Sequence, residues 1–252
     1  MTCPQPPRFW TELFRVRHSE ANRNAVMKLE TFFDYLQETA GVHADKLGVG
    51  IEYLRQHHQT WVLAKLALNI GRHPTHGEKI IVKTWPSGFH KLFAVRQFDI
   101  TTPDGGPIAK ASSFWILLDT ARSRPLRLPD ALPIDLPDNH DLPTFLPPPD
   151  KMACAQALDP LATLVTEHMI DINQHLNNAR YVAMANDWIA RHTAANPDFT
   201  RLDVNFCAAT PVHATLQTAG RIDGNDFSLE ITGGLHPDDR TLRFQARGQL
   251  AR

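Results

Sequence analysis

Apolar residues near the start of the chain recur every three or four positions, which is typical of one apolar face of a helix. The pattern extends from about Asn24 to Ala40 and consists of Val26, Leu29, Phe32, Phe33, Leu36 and Ala40. Gly41 follows directly and is predicted to end the helix, because glycine weakens helical structure. The sequence therefore predicts one amphipathic helix that buries a single face.

Four runs with the character of β-strands follow this helix. They are rich in β-branched and aromatic residues and span Thr60–Ile70, Lys79–Trp85, Phe93–Thr101 and Ile108–Leu118. Pro103–Gly106 separates the last two runs and is typical of a tight hairpin turn. Consecutive strands joined by short turns predict an antiparallel sheet.

A proline-rich stretch then interrupts the pattern between Arg124 and Asp150, where eight of the 19 prolines lie. Proline fixes φ and has no backbone N–H to donate, so such a stretch is unsuited to the interior of a sheet. We expect an extended and fairly stiff linker here.

The same order of elements returns after the linker. A second helical pattern covers about Asn177–His192, and strand-like runs follow at Leu202–Phe206, Ala214–Ile222, Phe227–Thr232 and Thr241–Leu250. The two helical patterns lie about 150 residues apart. This recurrence predicts a tandem duplication of an α+β unit in which a helix packs across a curved antiparallel sheet. We predict an N-terminal domain over residues 1–123, a linker over 124–160 and a C-terminal domain over 161–252.

Composition narrows the class of protein. The 252-residue chain has 26 basic and 27 acidic residues, a formal charge of −1, and so shows no electrostatic signature of nucleic-acid or anionic-membrane binding. No apolar run approaches the ~20 residues of a membrane helix, and the N-terminus lacks the pattern of a signal peptide. Three dispersed cysteines form no disulfide framework. We therefore expect a cytoplasmic protein.

Motifs for metals, cofactors and nucleophilic serine are missing from the sequence. There is no HExxH or Cys/His spacing, no GxGxxG after a strand, no P-loop and no GxSxG elbow. We expect no metal and no cofactor, and we interpret the 13 histidines mainly as surface residues. Cys207 is interpreted as a small buried residue of a strand rather than a nucleophile.

The densest cluster of chemically capable residues lies just before the second helix. Asp171, Asn173 and His175 alternate, and in extended backbone alternate side chains point to the same side. A carboxylate and an imidazole beside the N–H groups of a helix start suit acyl hydrolysis. The alternative is that Asp171, Asn173 or Asn177 only caps the helix.

Several segments together resemble the acyl-acyl-carrier-protein (acyl-ACP) thioesterase family, of the plant FatA/FatB type and its bacterial relatives. They are residues 35–50, 60–70, 83–88, 94–100, 111–129 and the motif DINQHLNNARYV at 171–182. The resemblance implies a tandem pair of hotdog domains that releases free fatty acid from acyl-ACP without metal or cofactor. It also implies that the N-terminal hotdog holds the acyl chain and that Asp171, Asn173 and His175 are catalytic. Residues 19–28 of the first half carry no such trio.

The sequence departs from this family at one position. Family members carry a Glu in the strand after the second helix, which in our alignment falls at Ala209, with Thr210 at the position of a Cys in the plant enzymes. No Glu lies between Arg201 and Gly220. Our hypothesis is that Asp171, oriented by Asn173 and His175, activates water or attacks directly, and that N–H groups near the second helix hold the oxyanion.

Three other functions stay open from the sequence. They are an acyl-CoA thioesterase, a non-catalytic acyl-binding protein, which the missing Glu favours, and a dehydratase. Carrier-protein docking requires a basic patch, for which Arg122, Arg124 and Arg127 are candidates, although we favour the interpretation that they belong to a solvated loop. Either a monomer or a homodimer is compatible with two fused hotdogs.

Overall fold

The computed structural model describes residues 6–152, 159–193 and 197–251. The chain divides into two compact units. The first comprises Met1–Met27 and Asp34–Pro148, and the second comprises Lys28–Phe33 and Pro149–Arg252. Within the predicted linker, the boundary thus falls between Pro148 and Pro149.

The first unit contains one long helix and an antiparallel sheet. Its elements are β1 (Trp10–Arg15), α1 (Leu29–Lys46), α2 (Ile51–Gln56), β2 (Gln59–Ile70), β3 (Lys79–His90), β4 (Phe93–Thr101), β5 (Pro107–Asp119) and the two-residue β6 (Arg124–Pro125). The first five residues of α1 are grouped with the second unit. The strand order is β1-β3-β4-β5-β2, with β6 on β5, and every pairing is antiparallel.

The second unit repeats this arrangement. Its elements are β7 (Leu161–Leu164), α3 (Asn178–Thr193), β8 (Phe199–Phe206), β9 (Thr215–Asp223), β10 (Asp226–Gly234) and β11 (Leu242–Leu250). The strand order β7-β9-β10-β11-β8 matches β1-β3-β4-β5-β2 element for element. The predicted tandem α+β duplication, a double hotdog, is confirmed.

The apolar face of α3 forms the core of the second unit. Its buried residues are Ala179, Tyr181, Val182, Met184, Ala185, Trp188 and Ile189, which recur at helical spacing. The Tyr181 ring stacks on Phe244 of β11 with centroids 5.5 Å apart. Burial of this face against the sheet, rather than helix propensity, stabilises the helix.

The structure corrects the boundaries of the first helix. α1 begins at Leu29 rather than near Asn24, because the preceding residues form a loop in which Ala25 has a positive φ of 58°. It continues through Gly41 to Lys46. Glycine costs a helix only about 1 kcal/mol, and burial of neighbouring Ala40 and His43 offsets that cost. The short elements β1, α2, β6 and β7 were too brief for a periodic pattern to predict.

Residues of the proline-rich stretch lie against the sheet of the first unit. Gln97 accepts a hydrogen bond from the Phe145 N–H through its Oε1 atom (3.1 Å), and Ser112 Oγ accepts one from the Leu146 N–H (2.9 Å). The prolines supply extended backbone, and buried side chains of β4 and β5 bind the remaining N–H groups. The linker is therefore anchored along part of its length.

A buried polar cluster lies in the first unit beside α1. His43 is fully buried, and its Nε2 atom lies 2.9 Å from the carbonyl oxygen of Pro7. Because a carbonyl can only accept, Nε2 carries the proton and Nδ1 accepts from Arg96 Nη1 at 2.9 Å. Burial, reinforced by the charge of Arg96, lowers the pKa of His43 to about 4.

This cluster predicts a loss of stability in mild acid. As pH falls below the ordinary histidine pKa of 6.5, His43 becomes protonated in the unfolded chain. In the folded protein it binds this proton only at about pH 4. The free energy of unfolding should therefore fall by up to about 3 kcal/mol over this window. Urea unfolding at several pH values measures it. His43→Gln keeps a donor and an acceptor but does not titrate, so an equal pH dependence in this variant would contradict the assignment.

Candidate active site

The predicted catalytic residues share one tight turn before α3. Ile170 and Leu176 pair as an isolated antiparallel bridge, and the Asp171 N–H donates to the His175 carbonyl oxygen at 2.9 Å. The Gln174 N–H donates back to the Asp171 carbonyl at 2.9 Å, and Gln174 adopts a positive φ of 63°. The segment is therefore a closed turn, so the extended backbone that we expected for these residues is wrong.

The Asp171 carboxylate takes part in this turn. Its Oδ1 atom accepts a hydrogen bond from the Asn173 N–H at 2.8 Å, which is an Asx turn. Asp171 is half-buried, while Asn173 and His175 are exposed. Within the described part of the chain, Asp171 Oδ2 and the side chains of Asn173 and His175 have no hydrogen-bond partner. These groups are therefore available to a substrate or to water.

A residue other than Asp171 caps the N-terminus of α3. Asn177 Oδ1 accepts from the Ala179 N–H at 2.8 Å, and the Asn177 carbonyl accepts from the Arg180 N–H at 2.9 Å. Asn177 is thus the N-cap, and the capping alternative holds for it and not for Asp171. Since these two N–H groups are already bonded, they cannot serve as the predicted oxyanion donors.

The turn is attached to the sheet through Thr210. The Leu176 N–H donates to the Thr210 carbonyl at 2.9 Å, and the Tyr181 hydroxyl donates to Thr210 Oγ1 at 2.7 Å. Thr210 is fully buried, and burial raises the pKa of Tyr181 to about 12, so its hydroxyl stays protonated. The residue that aligns with the plant Cys thus positions the turn.

Arg243 of β11 contacts the backbone at Ala209, the position at which the resemblance implies a Glu. Arg243 donates from Nη1 to the Ala209 carbonyl at 2.6 Å and from Nε to the Gly233 carbonyl at 2.7 Å. Its side chain is only 12% exposed and pairs with Asp239 at 3.4 Å. Arg243 therefore binds the backbone carbonyl groups of Ala209 and Gly233 and fixes these two segments. The sequence analysis did not predict this role.

The expectation that Cys207 is buried is wrong. This residue is exposed and lies one residue beyond the end of β8 at Phe206. Cys3 and Cys154, by contrast, lie outside the described residues.

The first unit contains a structural twin of the candidate turn. Ala21 and Met27 form the matching bridge, and Ala25 has the matching positive φ. Asn22 Oδ1 accepts from the Asn24 N–H at 2.9 Å, as Asp171 Oδ1 does from Asn173. The backbone of both turns thus requires an Asx oxygen but no carboxylate.

The twin turn differs in its chemistry. Asn22 stands in the place of Asp171, and Val26 in the place of His175. The backbone hydrogen bonds are the same, with Asn22 N–H donating to the Val26 carbonyl at 2.8 Å. Only the second unit combines this turn with a carboxylate and an imidazole. Comparison of the two turns shows that the backbone needs only an Asx oxygen to fold. The carboxylate and the imidazole are additional features of the second turn.

Residues 6–152, 159–193 and 197–251 contain neither a cluster of metal ligands nor a membrane-spanning helix. In those ranges no group of three or more His, Cys, Asp or Glu side chains could hold a metal ion. None of the helices there is long and apolar enough to cross a bilayer.

Comparison with known proteins identifies the family. The sequence profile of the acyl-ACP thioesterase N-terminal domain matches residues 7–133, about half of the chain. The chain belongs to the acyl-ACP thioesterase family. A palmitoyl-ACP thioesterase of Gossypium hirsutum is 26% identical over 262 residues, covering 96% of this chain and 62% of that protein. A palmitoyl-ACP thioesterase of Cuphea hookeriana is 26% identical over 71% of this chain and 46% of its own length. This family member thus spans roughly half to two thirds of these plant relatives.

Solved structures of thioesterases share the fold. An acyl-ACP thioesterase from Bacteroides thetaiotaomicron superposes with a TM-score of 0.83 at 23% identity, covering 97% of this chain and 98% of that one. The 12:0-ACP thioesterase from Umbellularia californica gives a TM-score of 0.78 at 18% identity, with 97% and 98% covered. The double hotdog architecture of this family member is therefore shared along nearly its whole length.

Proposed function

We propose that this member of the family hydrolyses the thioester of fatty acyl-ACP and releases free fatty acid. The observation that carries the proposal is the turn with Asp171, Asn173 and His175, whose carboxylate and imidazole go beyond what the twin turn needs to fold. Family membership supports the substrate class. We propose further that the enzyme is soluble and cytoplasmic and that it needs no cofactor. It would act as a monomer or a homodimer.

The proposed chemistry is the attack of water on the acyl carbonyl. Asp171 Oδ2 accepts a proton as the water oxygen bonds to the carbonyl carbon, and the tetrahedral oxyanion then expels the thiolate. A thiol has a pKa near 8.5, so the thiolate leaves without a strong acid and takes up the proton afterwards. Asn173 and His175 orient the water or donate to the oxyanion. Direct attack by Asp171 is the variant pathway, with water hydrolysing the resulting anhydride.

The proposed partner is acyl carrier protein with a fatty acyl chain. Arg122, Arg124 and Arg127 are all exposed in the first unit, and they offer positive charge to an acidic partner. Arg122 lies 3.8 Å from Asp119. Because Arg122 is largely exposed to water, this ion pair neutralises its charge only weakly.

The test is thiol release from acyl-ACP substrates of several chain lengths, run beside the matching acyl-CoAs. Preferential turnover of acyl-ACP would support the proposal and give the chain length. Preference for acyl-CoA would replace the carrier-protein partner by CoA. No thiol release from either panel would refute hydrolysis.

A second candidate is a non-catalytic acyl-binding protein. The observation in its favour is Ala209, which stands in our alignment where the family has a Glu. Binding of acyl-ACP without release of thiol would support this candidate, whereas measurable turnover would exclude it. Release of thiol also separates hydrolysis from dehydration, which leaves the thioester intact.

A further inference from the structure

The guanidinium of Arg96 on β4 has more hydrogen-bond donors than the surrounding protein uses. Of its five N–H groups, the two on Nη1 face His43 Nδ1 at 2.9 Å and Thr84 Oγ1 at 3.3 Å. The three N–H groups on Nε and Nη2 bond to nothing among the described residues. Arg96 nevertheless keeps some accessible surface, so a small group can reach these donors.

The charge of Arg96 is also uncompensated within the described ranges. No carboxylate pairs with it there, and burial alone lowers its pKa, to about 10, so the group remains a cation at neutral pH. His43, which accepts a hydrogen bond from Arg96, is held neutral by burial and by the charge of Arg96 itself. An unpaired cation inside a protein is costly and is usually compensated by an anion.

The free edge of the guanidinium indicates which anion fits. Nε–H and one N–H of Nη2 point in parallel from the same side of the planar group, and this fork matches the two oxygens of a carboxylate. We propose that Arg96, held by His43 and Thr84, is a binding site for a carboxylate within the first unit.

The residues that flank Arg96 and His43 on their own elements are apolar. On β4 the next residue of the same face is Phe98, which is 1% exposed, and on α1 the residues one and two turns before His43 are the buried Ala40 and Leu36. A fatty acid carries a carboxylate and an apolar tail, whereas acetate carries the carboxylate alone, so comparing the two tests whether these apolar residues contribute. The inference concerns the first unit alone and does not depend on the proposed hydrolysis.

Calorimetric titration with octanoate, octanol and acetate tests this site. The host is Asp171→Asn, in which the first unit is unchanged, so failure of hydrolysis and failure of this site are separate results. We expect octanoate to bind more tightly than octanol, and Arg96→Met to weaken octanoate by about 10- to 100-fold while leaving octanol unchanged. Acetate binding that Arg96→Met abolishes would show that the carboxylate suffices, whereas octanoate binding alone would show that the tail is required.

Two further variants keep the test decisive. Arg55→Met makes the same exchange at an exposed position of α2 and should bind octanoate like the host. Arg96→Lys keeps the charge without the fork and should bind octanoate with intermediate affinity. Thermal unfolding shows whether each variant is folded. Equal affinity for octanoate and octanol, or unchanged octanoate affinity in Arg96→Met and Arg96→Lys, would overturn the proposal.

Discussion

Replacing Asp171 by Asn should lower kcat/KM for acyl-ACP hydrolysis by about 100- to 1,000-fold, since one electrostatic group at a reacting centre has this effect. The side chain keeps its shape and loses only its charge and basicity. Its Oδ1 atom can still accept the Asn173 N–H, because Asn22 makes the corresponding bond in the twin turn. The expected loss is therefore chemical, with little change in the melting temperature. Thiol release under kcat/KM conditions measures it.

The twin turn supplies the matched control. Asn22→Asp makes the reverse exchange in the same backbone geometry and should leave the rate essentially unchanged. His175→Val gives the candidate turn the residue of its twin and tests the imidazole separately. If Asp171→Asn kept the full rate, the carboxylate would not be the base or nucleophile, and the proposed mechanism would be wrong.

Replacing Trp188 by Ala should destabilise the protein by about 3–5 kcal/mol, the range for a large aromatic residue removed from a core. Trp188 is fully buried on α3, and its indole N–H donates to the Asp159 carbonyl at 3.1 Å. The ring also packs on His192 with centroids 4.3 Å apart. The variant leaves a cavity and an unpaired carbonyl, so both terms act in the same direction. Urea unfolding followed by circular dichroism measures the change.

Trp188→Phe retains most of the packing. It keeps an aromatic ring in the core and loses the hydrogen bond and part of the volume, so we expect a smaller loss of about 1–3 kcal/mol. A cost below about 1 kcal/mol for Trp188→Ala would show that α3 is not held by this residue.

Regular elements of this protein could be predicted from the sequence because their signal is local. The period of apolar residues on α3 and the β-branched and aromatic residues of β4 are local features of the chain, and β4 was predicted at Phe93–Thr101 as found. The repeat of helix and strands indicated the duplication for the same reason. Short elements such as β7 carry too few residues for a period to be visible.

The candidate residues were also found from the sequence, but their geometry was not. Asp171, Asn173 and His175 stand out by residue type, whereas the turn that joins them depends on backbone hydrogen bonds and a positive φ at Gln174. Alternation was therefore a poor guide to side-chain direction there. The N-cap role of Asn177 likewise became clear only from its contact with the Ala179 N–H.

The sequence by itself determined the two repeats, their helices and strands, and the residues that carry the candidate chemistry. Only the tertiary structure decided which distant groups meet. His43 and Arg96 lie on different elements, and nothing in either local sequence predicts that burial and the charge of Arg96 hold His43 neutral. Arg243 and Ala209 are a second example. Such contacts depend on packing of elements far apart in the chain, which local periodicity does not encode.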